Sequence, residues 1–447
     1  MYIILLSGGS GKRLWPLSNE IRSKQFLKLL DHPCGKKESM LQRVFRQLHE
    51  NQIASPVLIA TSAAQEESIR NQIGDQAEIV LEPERRNTFP AIALSAVYLA
   101  RKKFVSEQEI VMVLPVDPYV DNGYFQTLKK MEKAVQDHTA DLILMGIKLL
   151  YSSERFGYVT FCGQEREAQA VYMVKNFKEK PSKGEAEKMI LEGALWNGGV
   201  FAFKLGWFLP LIAQYSDIGS YEQFRNNYHK LNANSFDYEI VEKIASVAVV
   251  PYDGVWKDIG TWNTLTQEMG TEKVGRVITG EFTENTHIIN ELEIPVLVLG
   301  AKNMVVAASP DGILVSDKRA SSCLKTYIDQ IGQRPMYEEC QWGEYKVIDY
   351  VSYQNGSKSL TKHLYMQAGK QICYQEHRLR DEIWTIVYGT GDLLLDGCVR
   401  HLACGDVVYI SACKKHALKA ITDMHFIEIQ IGDQLTEDDS IKYDYDW

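Results

Sequence analysis

The sequence predicts an α/β fold in three successive parts. A mostly parallel sheet with helices on both faces covers residues 1–268, a short β-rich connector covers 269–335, and a C-terminal β-barrel covers 336–447. Three observations lead there. Through the first ~265 residues, short runs of Ile, Val and Leu alternate with amphipathic helical patterns, as in strand–helix–strand units. From about Thr271 the helical period fades. Beyond Trp342, strand-like runs are separated by regularly spaced turns, the pattern of a small β-barrel or double-sheet jelly roll. The length of 447 residues agrees, because a single core rarely grows past ~250–300 residues.

Taken in order, the buried strands are Tyr2–Leu6, Val57–Thr61, Glu78–Leu81, Ile110–Leu114 and Leu142–Ile147. Each is a short apolar run suited to a sheet covered on both faces. Between them, Ser39–Gln52 puts Leu41, Val44, Phe45 and Leu48 on one helical face. Thr88–Lys103 likewise turns Ile92, Leu94, Val97 and Leu99 inward. Such sheets bind ligands at the carboxyl ends of their strands, so the loops after Leu6 and Leu114 are the first candidates for a site. Asn285–Asp317 reads as short strands broken by Asn-Thr, Ser-Pro and Asp-Gly, and Cys323–Tyr337 as a polar linker. Turns at Asn355-Gly356, Ala368-Gly369, Gly389–Gly391, Asp396-Gly397 and Cys404-Gly405 punctuate the barrel. The final QLTEDDSIKYDYDW, acidic and aromatic, reads as a solvated tail.

Composition narrows the function. With 49 Lys+Arg against 58 Asp+Glu the formal charge is −9, which argues against a nucleic-acid or anionic-membrane binder. No stretch approaches the ~18–20 apolar residues that span a bilayer, and the start lacks the basic region of a signal peptide. The eight cysteines form no C-x-x-C pair, so a zinc ribbon has no support and reduced thiols in a cytoplasmic protein are expected. Five of them fall in the barrel, where small apolar core positions are expected.

The first strand runs into LSGGSGKRLWPLSNEIRSKQFL. A glycine cluster there lets backbone N–H groups converge on phosphate oxygens, and Lys12, Arg13 and Lys24 add positive charge. The spelling is neither a Walker A loop nor a dinucleotide fingerprint, because Leu6 and Leu14 stand where those motifs need glycine. The alternative is a turn that only joins strand to helix; three basic residues favour phosphate.

The longer string GGSGxRLWPLS…KQFL resembles the signature of sugar-1-phosphate nucleotidyltransferases, mannose-1-phosphate guanylyltransferases in particular. The resemblance implies a Rossmann-like domain in which Gly8, Gly9, Gly11, Lys12 and Arg13 wrap a nucleoside triphosphate and Lys24 clamps its phosphates. Lys12 and Ser23 depart from the family's usual threonine and proline. Further matches follow in order. LEPERRNTFPAIALSA would border the nucleotide through Asn87 and Thr88, although capping the next helix is the simpler reading of Thr88. VLPVDPYV would supply Asp117 as a magnesium ligand, with Pro118 where histidine is common. FGYV, VKNFKEKP and LWNGGVFAF would bring Gly157, Glu179, Lys180 and Asn197 to the sugar phosphate. VWKDIGTW would supply Asp258 as the second magnesium ligand.

The implied reaction is attack by a sugar 1-phosphate on the α-phosphorus of a nucleoside triphosphate. It makes Arg13, Lys24, Asp117 and Asp258 the catalytic set, Mg2+ the cofactor, and GTP and mannose 1-phosphate the substrates. Another nucleotide–sugar pair and a non-catalytic sensor are the competing readings. The last ~105 residues resemble the cupin domain of long guanylyltransferases, which in some members is a mannose-6-phosphate isomerase. That resemblance implies a cupin-type barrel, a homodimer, and a transition metal held by His377, Glu382 and His416, with Gln375 nearby. Leu379 stands where the isomerases have a second histidine, and this reading favours a barrel kept for packing over a second active site.

Overall fold

Hydrophobic runs and helix caps place the elements close to where the sequence puts them. The computed structural model describes residues 1–9, 11–149, 151–162, 171–328, 330–332, 334–436 and 439–445. They group into two compact units: Met1–Ser10, Ser23–Glu66 and Ile73–Gly270 in one, and Gly11–Arg22, Glu67–Gln72 and Thr271–Trp447 in the other.

The first unit is built on a nine-stranded sheet. Its strands are β1 (Tyr2–Leu6), β2 (Val57–Ser62), β3 (Glu78–Glu82), β4 (Ile110–Pro115), β6 (Leu142–Ile147), β7 (Tyr158–Phe161), β8 (Tyr172–Lys178), β9 (Leu195–Lys204) and β10 (Val247–Tyr252). A short β5 (Pro118–Val120) and β11 (Trp256–Asp258) form a separate ribbon. The order across the sheet is β3-β2-β1-β4-β9-β6-β10-β8-β7. The half from β3 to β4 is parallel, as strand–helix alternation requires, and β6 and β10 also pair parallel. The long β9 runs antiparallel between β4 and β6, a reversal that periodicity alone does not reveal. Helix α1 (Met40–Glu50) starts at a reciprocal cap, in which Ser39 Oγ accepts from Gln42 N and Gln42 Oε1 accepts from Ser39 N, both at 3.1 Å. Helix α2 (Thr88–Val97) is buried along nearly its whole length, Phe89 and Ile92 completely, and packs with Phe208 and Phe236 over one face of the sheet.

In the second unit, residues 271–317 coil in parallel rungs. His287–Asn290 pairs with Lys273–Val274 on one side and Met304–Ser309 on the other, and Val277–Thr279 pairs with Val296–Val298. Residues 337–443 make a six-stranded and a five-stranded antiparallel sheet around Trp384, Leu360, Leu402, Leu418 and Phe426. Three expectations need correction. Ser440–Tyr443 is a strand paired with Gln371–His377, not a solvated tail; residues 437, 438, 446 and 447 of that stretch lie outside the described set. The linker expected over Cys323–Tyr337 contains a helical turn at Lys325–Ile328, and Met336 N donates to Asp311 Oδ1. Of the five barrel cysteines only Cys340 is buried: Cys373 and Cys398 fall on the outward face of alternating strands, and Cys404 and Cys413 lie on turns.

Candidate active site

Asp117 follows the carboxyl end of β4, and Asp258 ends β11. Their convergence is local: β11 pairs antiparallel with β5, Asp258 opposite Pro118. The ribbon is fixed by Asp121, whose carboxylate accepts from Tyr252 Oη (2.9 Å) and from Val255 N (2.8 Å). Asp117 thus lies at a strand end of the main sheet, while Asp258 rides on the separate ribbon. Lys24 Nζ binds Asp117 Oδ2 at 2.6 Å and Asp258 Oδ1 at 3.7 Å, and donates to the Ile259 carbonyl at 3.3 Å. One ammonium thus bridges two carboxylates that are 37% and 42% exposed.

Asp117 and Asp258 line a cleft with Gly157, Glu179, Asn197, Trp256 and Asp237. Glu179 is buried and pairs with Lys180 Nζ at 2.9 Å. Burial alone would lower the Lys180 pKa, but the hydrogen bond and charge of Glu179 raise it. A Cβ at Gly157 would overlap the Glu179 carboxylate and lie 3.1 Å from Phe177 Cζ, so a side chain here would have to displace Glu179. Asn197 Nδ2 donates to Asp237 Oδ1 at 2.6 Å, and burial followed by the charge of Glu179 pushes Asp237 up to about 7.

The glycine turn is held from beneath by buried amides. Ser23 Oγ and Gln65 Nε2 each donate to the Gly9 carbonyl at 3.0 Å, and Gln25 Nε2 donates to Ser7 Oγ at 3.1 Å. The departure at Ser23 thus acquires a role. Gly8 lies against Glu82, its would-be Cβ 3.4 Å from Oε1, and Glu82 accepts from Tyr228 Oη at 2.6 Å. Among the described residues, the N–H groups of Gly8, Gly9 and Gly11 donate to no protein acceptor. Asn87, not Thr88, caps α2, its Oδ1 accepting from Thr88 N at 2.9 Å. The Thr88 hydroxyl instead accepts from Phe236 N at 2.9 Å.

Lys12 and Arg13 belong to the second unit, on a turn that starts at Gly11 with φ 67°. Arg13 is exposed, and Lys12 pairs with Glu20 at 3.4 Å. Their loop is anchored by Arg22, which binds Glu291 with two nitrogens at 2.8 and 3.0 Å. It is also held by Asn19 on Asp311 (2.8 Å) and by Ser309 Oγ on the Pro16 carbonyl (2.6 Å).

The barrel holds a second constellation. His377 Nε2 is 3.3 Å and His416 Nε2 is 3.6 Å from the two oxygens of Glu382, all three residues buried. Their ligand atoms lie within 4.8 Å of one another. His416 Nε2 is buried with no hydrogen-bond partner among the described residues. Burial and the charge of Glu428 push Glu382 up to about 8 against the pull of Arg380, which donates to it at 3.0 Å. Leu379 is 50% exposed on a turn whose N–H is taken by Asp439, so the substitution there removes nothing from this trio. Gln375 pairs directly across the strands with His416.

A model of the nucleotidyl transferase family matches residues 2–273, well over half of the chain. The chain belongs to the nucleotidyl transferase family. This nucleotidyl transferase also matches a model of the mannose-6-phosphate isomerase C-terminal domain over residues 333–445. It is 28% identical to the mannose-1-phosphate guanylyltransferase of Escherichia coli K12, over 99% of this chain and 98% of that one. It is 26% identical to the alginate biosynthesis protein AlgA of Pseudomonas aeruginosa, over 98% and 95%. Among solved structures, the mannose-1-phosphate geranyltransferase of Thermus thermophilus superposes with a TM-score of 0.59 at 29% identity, over 74% of this chain and 99% of that one. No helix among the described residues of this nucleotidyl transferase is long and apolar enough to cross a membrane.

Sequence reasoning missed Glu82, Gln65 and Asp237. Glu82 was within reach, as the first of two acids in the quoted LEPERRN segment. Gln65 and Asp237 carried no local signal, because Gly9 and Asn197, on which they act, are 56 and 40 positions away.

Proposed function

We propose that this enzyme condenses mannose 1-phosphate with GTP, in a magnesium-dependent reaction that releases pyrophosphate and yields a nucleotide sugar. The observation that carries the reading is the meeting of Asp117, Asp258 and Lys24 at a cleft walled by Gly157, Glu179 and Asn197. The full-length similarity to named guanylyltransferases supports the choice of substrates.

The nucleophile is a phosphate oxygen that is anionic near neutral pH, so no general base is needed. The barrier is repulsion between two anions and their in-line alignment. Lys180, paired with Glu179, anchors the incoming phosphate, while Asn197 and Glu179 hold the sugar. The N–H groups of Gly8, Gly9 and Gly11, with Lys12 and Arg13, hold the triphosphate; Asn87 and Thr88 border the nucleotide. Lys24 stabilises the departing pyrophosphate. Asp117 and Asp258 fit a divalent ion: they are two partly exposed carboxylates that already share one cation. Magnesium bound there supplies neutralisation of charge on the phosphate oxygens.

In this reading residues 1–268 carry the transfer, 269–335 connect, and 336–447 form a separate cupin barrel. A second activity, isomerisation of mannose 6-phosphate and fructose 6-phosphate, is favoured by the unpartnered His416 Nε2 facing His377 and Glu382. Three such ligands suffice for a transition metal with open positions. We further read the enzyme as a cytoplasmic homodimer. Exposed Ile278, Leu297 and Leu299 on the coiled connector support self-association, and light scattering tests it. The decisive experiment is pyrophosphate release from four nucleoside triphosphates against several sugar 1-phosphates. GTP with mannose 1-phosphate should give the highest kcat/KM; a different best pair would reassign the substrates.

A further inference from the structure

Asp237 does not resemble a structural acid. It lies in a four-residue helix, Phe236–Glu239, fastened at both ends of its first turn. Ser235 Oγ accepts from Tyr238 N at 3.3 Å, and Phe236 is fully buried with its N–H on the Thr88 hydroxyl. That anchoring fixes where the Asp237 carboxylate sits, and it sits on the cleft wall with Glu179 and Asn197. Among the described residues Asp237 has no ion-pair partner; its hydrogen bonds come from Asn197 and from its own backbone N–H. Burying an acid beside Glu179 costs stability, and the hydrogen bond from Asn197 and the charge of Lys180 offset that only in part.

The polar inventory of the cleft shows what is unused. The Asn197 carbonyl oxygen already accepts from Gly199 N at 3.2 Å, and one of its amide hydrogens is on Asp237. Glu179 is nearly buried and holds Lys180. A carboxylate can accept about four hydrogen bonds, so Asp237 keeps acceptor capacity open to the cleft. Sugar hydroxyls need acceptors as well as donors.

We infer that Asp237 is a further sugar-binding residue, whose carboxylate accepts a hydrogen bond from one ring hydroxyl of the incoming hexose phosphate and so selects the hydroxyl pattern that is turned over. The inference rests on reading this cleft as the sugar-phosphate site. The opposing account is that Asp237 merely orients Asn197.

The test compares the wild-type chain with Asp237→Ala and Asp237→Asn, using mannose 1-phosphate and its 2-, 3-, 4- and 6-deoxy analogues at saturating GTP. Asp237→Ala should lower kcat/KM for the parent sugar roughly tenfold to a hundredfold, the range for losing a hydrogen bond to a charged group. The loss should fall on the KM of the sugar phosphate and spare that of the nucleotide. With one deoxy analogue the loss should vanish, because the hydroxyl that Asp237 holds is already gone. Asp237→Asn, which preserves shape and one acceptor, should show the same analogue pattern with a smaller loss, and so guards against a folding defect. Equal losses across all analogues would show that Asp237 only positions Asn197 and would overturn the inference, as would no loss at all. Failure of the wild-type chain to turn over any sugar 1-phosphate would instead overturn the assignment of the cleft itself.

Discussion

Removing Glu291 isolates a buried cation. Arg22 is 7% exposed, with two guanidinium nitrogens on the Glu291 carboxylate and its Cζ 4.7 Å from the Tyr337 ring centroid. Breaking a buried pair from one side costs about 3–5 kcal/mol. The Glu291 side chain is 26% exposed, so water can partly replace it and about 2–4 kcal/mol is expected for Glu291→Ala. Arg22→Met with Glu291→Leu removes both charges and should recover stability to within about 1 kcal/mol of the parent. Urea unfolding followed by tryptophan fluorescence reads both variants, with the midpoint moving and the slope unchanged. Arg22 closes the loop that carries Lys12 and Arg13, so Glu291→Ala should also raise the KM for nucleotide while leaving that for sugar phosphate near its parent value. The reasoning fails if Glu291→Ala costs less than about 0.5 kcal/mol, or if the double variant is less stable than either single one.

Gly157→Ala drives a methyl into the Glu179 carboxylate; overpacking of this kind costs about 1–3 kcal/mol, and steady-state kinetics should show it as a raised KM for sugar phosphate. A pH effect follows from Asp237, whose carboxyl titrates at about 7 instead of 3.8 under burial, the charge of Glu179 and the opposing pull of Asn197 and Lys180. Because the folded pKa is raised, its contribution is most favourable below about pH 4 and is lost as pH climbs through about 7. Calorimetric melting should therefore show a flatter decline in Tm across that window for Asp237→Asn; an unchanged decline would count against the burial argument. In the barrel, stoichiometric transition metal should co-purify with the parent chain and be lost from His377→Ala, as read by elemental analysis. Leu379→Ala should leave it in place.

Five of the nine main-sheet strands and the helices at Met40–Glu50 and Thr88–Val97 were legible because each is a local pattern, an apolar run or a periodic face preceded by a cap such as Ser39, whereas the 15-residue helix Asn122–Gln136 was not read. The reversed strand Leu195–Lys204 was not, since direction within a sheet is set by tertiary packing. The same split runs through the site. Motif spelling named Lys24, Asp117 and Asp258, which the fold brings into one ion-paired group, and Glu179 and Asn197, which line the adjoining cleft, with Lys180 paired to Glu179. Asp237 stayed hidden because nothing near it in sequence reports that Asn197 points at it. Position 379 shows a limit of motif spelling of a different kind. The resemblance put Leu379 where isomerases have a second histidine, but the chain turns after His377, and the alternation that brings Gln375 and His377 to one face does not continue to the half-exposed Leu379.

The proposed dependence of nucleotidyl transfer on a cation held jointly by Asp117 and Asp258 can be measured directly. The direct measurement is pyrophosphate release from GTP and mannose 1-phosphate over a magnesium titration, for the parent chain, Asp117→Asn and Asp258→Asn. Circular dichroism of each variant should match the parent. Turnover at saturating substrate should fall by roughly 10²–10³ or more in either variant, with no recovery at high magnesium beyond a few per cent. Near-parental turnover by either folded variant, with an unshifted magnesium dependence, would contradict the two-aspartate site.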